Sequence, residues 1–135
     1  MREERVLNVD HDLKGMGVLE PKTAEQLGTV EDVIVHPTRG SVLGIIMRTA
    51  HGEERWFAAS EFLVGMNAVM VATKARGETV REGTLPNGSV AVRRELIGAN
   101  VLTEEGKLLG QVREVYLSTA RPQIAYRIAE TTLQR

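Results

Sequence analysis

The sequence predicts a mainly β fold with little helix, and two observations carry this prediction. The first is a pair of short runs rich in β-branched residues, at positions 33–35 and 42–47, which is the composition typical of strands. The segment HPTRG lies between them, where Pro37 fixes φ and Gly40 can adopt a positive φ. These properties favour a hairpin connection. The second observation is an internal repeat.

The repeat relates residues 26–49, QLGTVEDVIVHPTRGSVLGIIMRT, to residues 108–131, LLGQVREVYLSTARPQIAYRIAET. The offset is 82 within these segments and 83 upstream of them, with a one-residue difference in the turn between. The matched positions include Gly28 with Gly110, Asp32 with Glu114 and Gly15 with Gly98. Because glycines, acids and aliphatic residues all match in one frame, the sequence predicts two copies of one β unit.

The repeated glycines and acids are predicted to be structural. Glycine suits bends, bulges and positions of positive φ, so the predicted structural positions are Gly15, Gly28, Gly40, Gly98 and Gly110. Asp32 and Glu114 admit two interpretations. One is a carboxylate with a shifted pKa that performs acid/base chemistry. The favoured one is a carboxylate that accepts backbone or arginine hydrogen bonds, because repeats copy what a fold requires.

The pattern GxxVL, LGxVxDVxVxPxxGxVxGIIM, RWFAASEF and NAVMV resembles the PRC-barrel, over residues 13–73 and again from residue 96. This family is known from the cytoplasmic domain of the photosynthetic reaction-centre H subunit and from the ribosome-maturation protein RimM. The resemblance implies a small β-barrel, repeated twice in tandem or interleaved. It implies much less about activity, because the motifs are aliphatic and glycine positions.

We therefore expect an N-terminal segment (1–12), a first PRC-barrel-like unit (13–73), a linker (74–95) and a second, incomplete unit (96–135). Within the linker, GTLPNGSVAV predicts a short strand or hairpin. The second unit lacks counterparts of the strands around Trp56 and after Asn67. Three explanations remain open: a trimmed chain, a strand supplied by the N-terminal segment, or a strand supplied by a second copy.

Composition excludes several classes of function. The 135 residues contain no cysteine and carry a net charge of −1, so disulfides, thiolate metal sites and bulk attraction to nucleic acid are not expected. No apolar run has the length of a membrane span or of a signal peptide. The chain is therefore expected to be cytoplasmic.

No catalytic, cofactor-binding or metal-binding residue is predicted. His11, His36 and His51 lack metal-ligand spacing and are expected to be exposed. The serines have no G-x-S-x-G context, and Gly15-Met16-Gly17 is not followed by the helix of a dinucleotide site. Ser60 is expected to cap a short turn that includes Glu61.

We therefore expect a non-enzymatic protein-interaction or scaffold module, acting as a homo-oligomer with an unidentified protein partner. The alternative is a ribosome-maturation accessory protein that binds a ribosomal protein or rRNA. Residues 90–135 carry seven basic and five acidic residues, an asymmetry too mild to favour RNA binding strongly. An enzyme or ligand carrier that uses the barrel interior is the least favoured, because small barrels are filled by their own side chains.

Overall fold

A computed structural model describes residues 5–72 and 75–119, together with the strand at 124–130. Within these residues the fold is mainly β, as predicted, with twelve strands in two sheets. The strands are β1 (Val6–Asn8), β2 (Gly17–Leu19), β3 (Gln26–His36), β4 (Ser41–Arg48), β5 (Glu54–Ala58), β6 (Phe62–Val64), β7 (Ala68–Val71), β8 (Glu78–Thr79), β9 (Val90–Ala91), β10 (Asn100–Leu102), β11 (Leu108–Ser118) and β12 (Ile124–Glu130).

The larger sheet is built around the long hairpin of β3 and β4. Its strand order is β6-β7-β2-β3-β4-β5-β8, and β9 adds to β3 outside this path. The predicted hairpin turn lies between β3 and β4, where Gly40 has a φ of 67°. Gly28 permits a second close approach, because a Cβ there would lie 2.3 Å from the carbonyl oxygen of Arg48. Both glycines therefore have the backbone roles that glycine alone fills easily.

The smaller sheet has β11 at its centre. Strands β1 and β10 pair with β11, and β12 also pairs with it, all antiparallel. The pairing of β1 with β11 places Leu7 opposite Leu117. The N-terminal segment thus supplies a strand to the sheet formed by residues 100–130 of the same chain. A strand from this segment is one of the three possibilities left open by the sequence.

Strand β9 makes the reciprocal connection. It pairs antiparallel with β3, placing Ala91 opposite Ile34. Of the short strand or hairpin expected within residues 83–92, the short strand forms, at Val90–Ala91, and its partner is distant in sequence. The predicted turn is present, since Gly88 has a φ of 76°. The strand that follows it pairs with β3 and not with a strand close in sequence.

A five-residue π-helical turn follows each of these exchanged strands, at Val9–Leu13 and at Val92–Leu96. The same hydrogen bonds surround both turns. The N–H of Gly15 donates to the carbonyl of Val30 (2.8 Å), and the N–H of Gly98 donates to the carbonyl of Val112 (2.7 Å). The φ angles of these glycines are 85° and 91°, in the left-handed region that favours glycine.

A continuous hydrophobic core joins the two sheets. Its buried members come from both halves of the chain and include Leu7, Val9, Leu13, Val33, Ile45, Phe57, Val69, Val92, Val115 and Leu117. The exchanged strand and the turn that follows it contribute directly to this cluster. The two halves therefore share apolar packing, which supplies most of the stability of a chain this small.

The short turn after β5 differs in detail from the expectation. A 3₁₀ turn spans Ala59–Glu61, and Ser60 makes no capping hydrogen bond there. Instead the carboxylate of Glu61 accepts a hydrogen bond from the N–H of Ala58 at 2.9 Å. Glutamate at this position reaches back to a free N–H of the first turn, so the prediction that Ser60 caps the turn was wrong.

Candidate functional site

Asp32 lies at an irregularity of β3, one of the two 11-residue strands. The register between β3 and β4 shifts between Val30 and Asp32, so that Glu31 is an extra residue in a β-bulge. A bulge re-aims the side chains beside it. The carboxylate of Asp32 is consequently fully buried, with 0% of the residue exposed, while its neighbours Val30 and Val33 enter the core.

The buried carboxylate ties β3 to the second π-helical turn. Its Oδ1 accepts hydrogen bonds from the N–H of Val33 and the N–H of Arg93, each at 2.8 Å. The Ala91 side chain at the start of that turn cannot cap it. Asp32 therefore satisfies a turn N–H across 61 residues of sequence, the arrangement expected of a structural carboxylate.

The equivalent N-terminal turn is capped locally instead. Asn8 is buried, and its Oδ1 accepts from the N–H groups of Asp10 and His11 at 3.0 and 3.1 Å. One pair of hydrogen bonds is equivalent in the two turns: the carboxylate of Asp12 accepts from the N–H of Asn8, and the carboxylate of Glu95 accepts from the N–H of Ala91. The two turns thus obtain their caps from different residues.

A network of charges covers Asp32 on the surface. Arg94 lies 3.9 Å from Asp32 Oδ2 and also pairs with Glu54. Arg48 bridges Glu54 and Glu31 at 2.9 and 3.3 Å. Arg93 extends the network, because its Nε lies 2.8 Å from Asp10 and its Nη1 donates to the carbonyl of Glu31. The network joins three arginines to four carboxylates.

The pKa of Asp32 is raised above its ordinary value, because burial disfavours the charged form; the backbone hydrogen bonds and Arg94 oppose this only in part. The carboxylates nearer to solvent behave in the opposite way. A hydrogen bond from Arg48 lowers the pKa of Glu31, and one from Arg93 lowers that of Asp10. The raised pKa of Asp32 thus follows from burial under an ion-pair network.

Glu114 occupies the corresponding bulge of β11, where the register shifts between Val112 and Glu114. Its surroundings differ from those of Asp32, because Glu114 is only partly buried and accepts a hydrogen bond from the hydroxyl of Tyr116. The structure therefore does not bring Asp32 and Glu114 together. Each belongs to its own strand.

The histidines remain dispersed. His11 and His51 are exposed, and His36 is half-buried at the end of β3, where its Nδ1 accepts from the N–H of Arg39 at 3.3 Å. Across residues 5–72 and 75–119, no group of three or more His, Cys, Asp or Glu side chains is arranged to hold a metal ion. Among the described residues, no helix has the length and apolarity needed to cross a bilayer.

An apolar surface lies on β6, β7 and the turn between them. Leu63, Met66 and Met70 are 54%, 76% and 39% exposed. Leu63 and Met70 lie directly opposite each other in the pairing of β6 with β7. An adjoining cleft of about 350 Å³ is lined by Phe62, Leu63 and Val64 and by Leu117 at the end of β11. We call Leu63, Met66 and Met70 the apolar patch.

Sequence reasoning missed the residues that hold this arrangement together. Asn8, Arg93 and Arg94 were not singled out, although all three contact a buried turn or Asp32. One signal was available: the offset of 83 also relates Val9 to Val92 and Leu13 to Leu96. This match extends the repeat upstream of residues 13 and 96, over the positions of the two π-helical turns.

A comparison with protein-family models places the PRC-barrel domain at residues 8–80. This range begins at the end of β1 and includes β2 to β8, with the bulge at Asp32 and the apolar patch. No match to the chain was found among curated proteins. Because the domain covers more than half of the chain, this protein belongs to the PRC-barrel domain family.

Proposed function

We propose that this protein is a non-enzymatic interaction module that binds a protein partner through the apolar patch. The patch is the observation that carries the proposal: three large apolar side chains are exposed together, beside an apolar cleft. Exposed apolar groups of this kind are typical of protein-binding surfaces. Asp32 supports the non-enzymatic part of the proposal. Its Oδ1 accepts a hydrogen bond from the N–H of Arg93, and its Oδ2 lies 3.9 Å from Arg94.

Capture from a native lysate tests the proposal. The wild-type chain is expected to retain a specific protein, and the variant Leu63→Lys/Met70→Lys is expected to lose it, because two buried charges oppose an apolar interface. Leu109→Lys is a matched control, since Leu109 is also exposed but lies at the opposite end of β11 from Leu117. Equal capture by all three proteins, or none by the wild type, would contradict the proposal.

The proposal includes two PRC-type units that exchange their first strands. The support is the matched set of π-helical turns, bulges and glycine hydrogen bonds in the two halves. Two such units within one chain would present the strand edges of both units on one molecule. The predicted homodimer is a further proposal, which sedimentation equilibrium across a concentration series would check.

Alanine at Gly15 or at Gly98 should cost about 1–2 kcal/mol, because both residues have a positive φ. Both sites have open space around a Cβ, so the cost would come from the backbone alone. Gly17→Ala is the control: its φ is not positive, its Cβ would have ordinary contacts, and it should be neutral or slightly stabilising. Urea denaturation measures all three. Unequal costs at Gly15 and Gly98 would count against equivalent units.

The RNA-binding alternative has less support. Arg48, Arg93 and Arg94 are the basic residues gathered around Asp32, and each is paired with a carboxylate. Phosphate contacts need cations that are free to pair. Salt-sensitive RNA binding, or sedimentation with ribosomal particles, would nevertheless favour the alternative over a protein-binding role.

A further inference from the structure

The two short strands that open the units have different surroundings. Strand β2 pairs with β3 on one side and with β7, in parallel, on the other. Strand β10 holds the corresponding position beside β11. Among the described residues no strand pairs with the other edge of β10. The offset of 83 relates Val18 to Val101 and Leu19 to Leu102.

The burial of equivalent residues shows what β7 contributes. Leu13 and Val18 are both fully buried, and Val69 of β7 lies directly beside Val18. Their counterparts Leu96 and Val101 are only partly buried, although they pack against the edge of the same core. The apolar surface that β7 covers in the first unit is thus left partly open in the second.

An apolar groove occupies this position. It has a volume of about 510 Å³ and is lined by Leu96, Ala99, Asn100, Val101, Leu102 and Val112, and by Pro37 and Thr38 of the turn between β3 and β4. Four of these residues correspond, at offsets of 82 and 83, to Leu13, Val18, Leu19 and Val30. The groove therefore has the lining of the seat that β7 fills, with an open strand edge along one side.

We propose that the free edge of β10 and its groove bind an extended segment of a partner protein, added as a strand parallel to β10. The segment would carry apolar residues at alternate positions, as β7 does with Val69 and Val71 buried and Met70 exposed. Backbone hydrogen bonds would align the strand, and the alternate side chains would fill the groove. This inference goes beyond the proposed function, because the groove lies beside β10 and contains none of the residues of the apolar patch.

Strand β7 of the first unit indicates which side chains the bound segment would carry. β7 pairs with β2 in a defined register, Gly17 with Ala68, Val18 with Val69 and Leu19 with Met70. The equivalent register on β10 would place the first buried valine beside Val101. Because the pairing is parallel, a simple hairpin extension of β10 cannot fill this edge. The occupant must reach β10 by a long crossover or come from another chain.

A peptide of residues 66–72 (MNAVMVA), extended by two C-terminal lysines for solubility, is the probe. Added to the isotope-labelled full chain, it should shift the backbone amide resonances of residues 96–102 in a saturable manner. Lysine at both Val69 and Val71 of the peptide should weaken binding at least tenfold, because these residues face the groove. Lysine at Met70 should change binding less than threefold, because that residue faces away.

A matched pair of chain variants locates the site. Val101→Lys should weaken peptide binding at least tenfold, whereas Leu109→Lys, at an exposed position of β11 outside the groove lining, should leave it within threefold. If Val101→Lys unfolds, the peptide variants still test the proposal, because they require no change in the protein. Shifts confined to residues 17–19 and 68–71 would overturn the proposal, since they would mean that the peptide exchanges with β7. Absence of saturable binding would also overturn it.

Two further measurements separate this inference from the proposed function. If Leu63→Lys/Met70→Lys loses the lysate partner but the peptide does not bind at β10, the interaction function stands and the β10 site falls. If the peptide binds at β10 but no lysate partner is captured, the site stands and the proposed function falls. Self-association that Val101→Lys abolishes, without peptide binding, would assign the groove to a second copy and overturn the partner-strand proposal.

Discussion

Replacing Leu7 by alanine should lower the free energy of unfolding by about 2–4 kcal/mol, the usual cost of removing a buried leucine side chain. Leu7 is 6% exposed and lies opposite Leu117 in the pairing of β1 with β11. This loss of stability would come from a strand of only three residues, in the segment 1–12 that was predicted to lie outside both barrel-like units. Urea denaturation followed by circular dichroism measures it.

Val6→Ala is the matched control for this experiment. Val6 precedes Leu7 on the same strand but is 63% exposed, so its truncation should change stability by less than about 0.5 kcal/mol. A large difference between neighbouring residues requires that β1 is docked with one face towards the core. If both variants were neutral, the exchange of β1 onto β11 would be contradicted, and with it the shared core of the two halves.

Asp32→Ala should be comparably damaging, at about 2–4 kcal/mol at neutral pH. The substitution leaves the N–H groups of Val33 and Arg93 without the acceptor that now serves both, and buried unsatisfied donors are costly. Asp32→Asn is the control, because its amide oxygen can accept the same two bonds, and it should cost much less. Equal losses in both variants would show that the charge, rather than the cap, is what matters.

The dependence of stability on pH distinguishes Asp32 from the other carboxylates. Its pKa is raised in the folded state by burial, so the folded protein binds more protons than the unfolded chain between the ordinary value of 3.8 and the raised value. The contribution of Asp32 to stability is therefore fully present below 3.8 and is lost as pH rises through the folded-state pKa. The lowered pKa values of Asp10 and Glu31 contribute in the opposite direction.

The difference in unfolding free energy between wild type and Asp32→Asn isolates this effect, because the asparagine does not titrate. The advantage of the wild type over Asp32→Asn should shrink as pH rises from 4 towards 7. An advantage that grows over this interval would mean that Arg94 and the backbone N–H groups outweigh burial, and that the folded state favours the carboxylate. Chemical denaturation at several pH values gives the comparison.

The sequence by itself determined the local structure of this protein. Runs rich in β-branched residues and the turn residues between them predicted β3, β4 and the hairpin, because strand propensity and positive φ are properties of neighbouring residues. Gly15, Gly28, Gly40 and Asp32 were also predicted to be structural positions, which the substitutions at Gly15 and Asp32 would test. The family pattern, which depends on the spacing of such positions, was equally visible.

Only the tertiary structure decided which strands meet. Nothing local distinguishes a Val90–Ala91 strand that closes a nearby hairpin from one that pairs with β3, because any strand edge can bond to any other. The choice is made by the burial of side chains distant in sequence: Leu7 against Leu117, and Asp32 with the N–H of Arg93. The sequence indicated that residues 96–135 have no counterpart of the strand after Asn67, but only the pairings among the described residues show that the edge left open is that of β10.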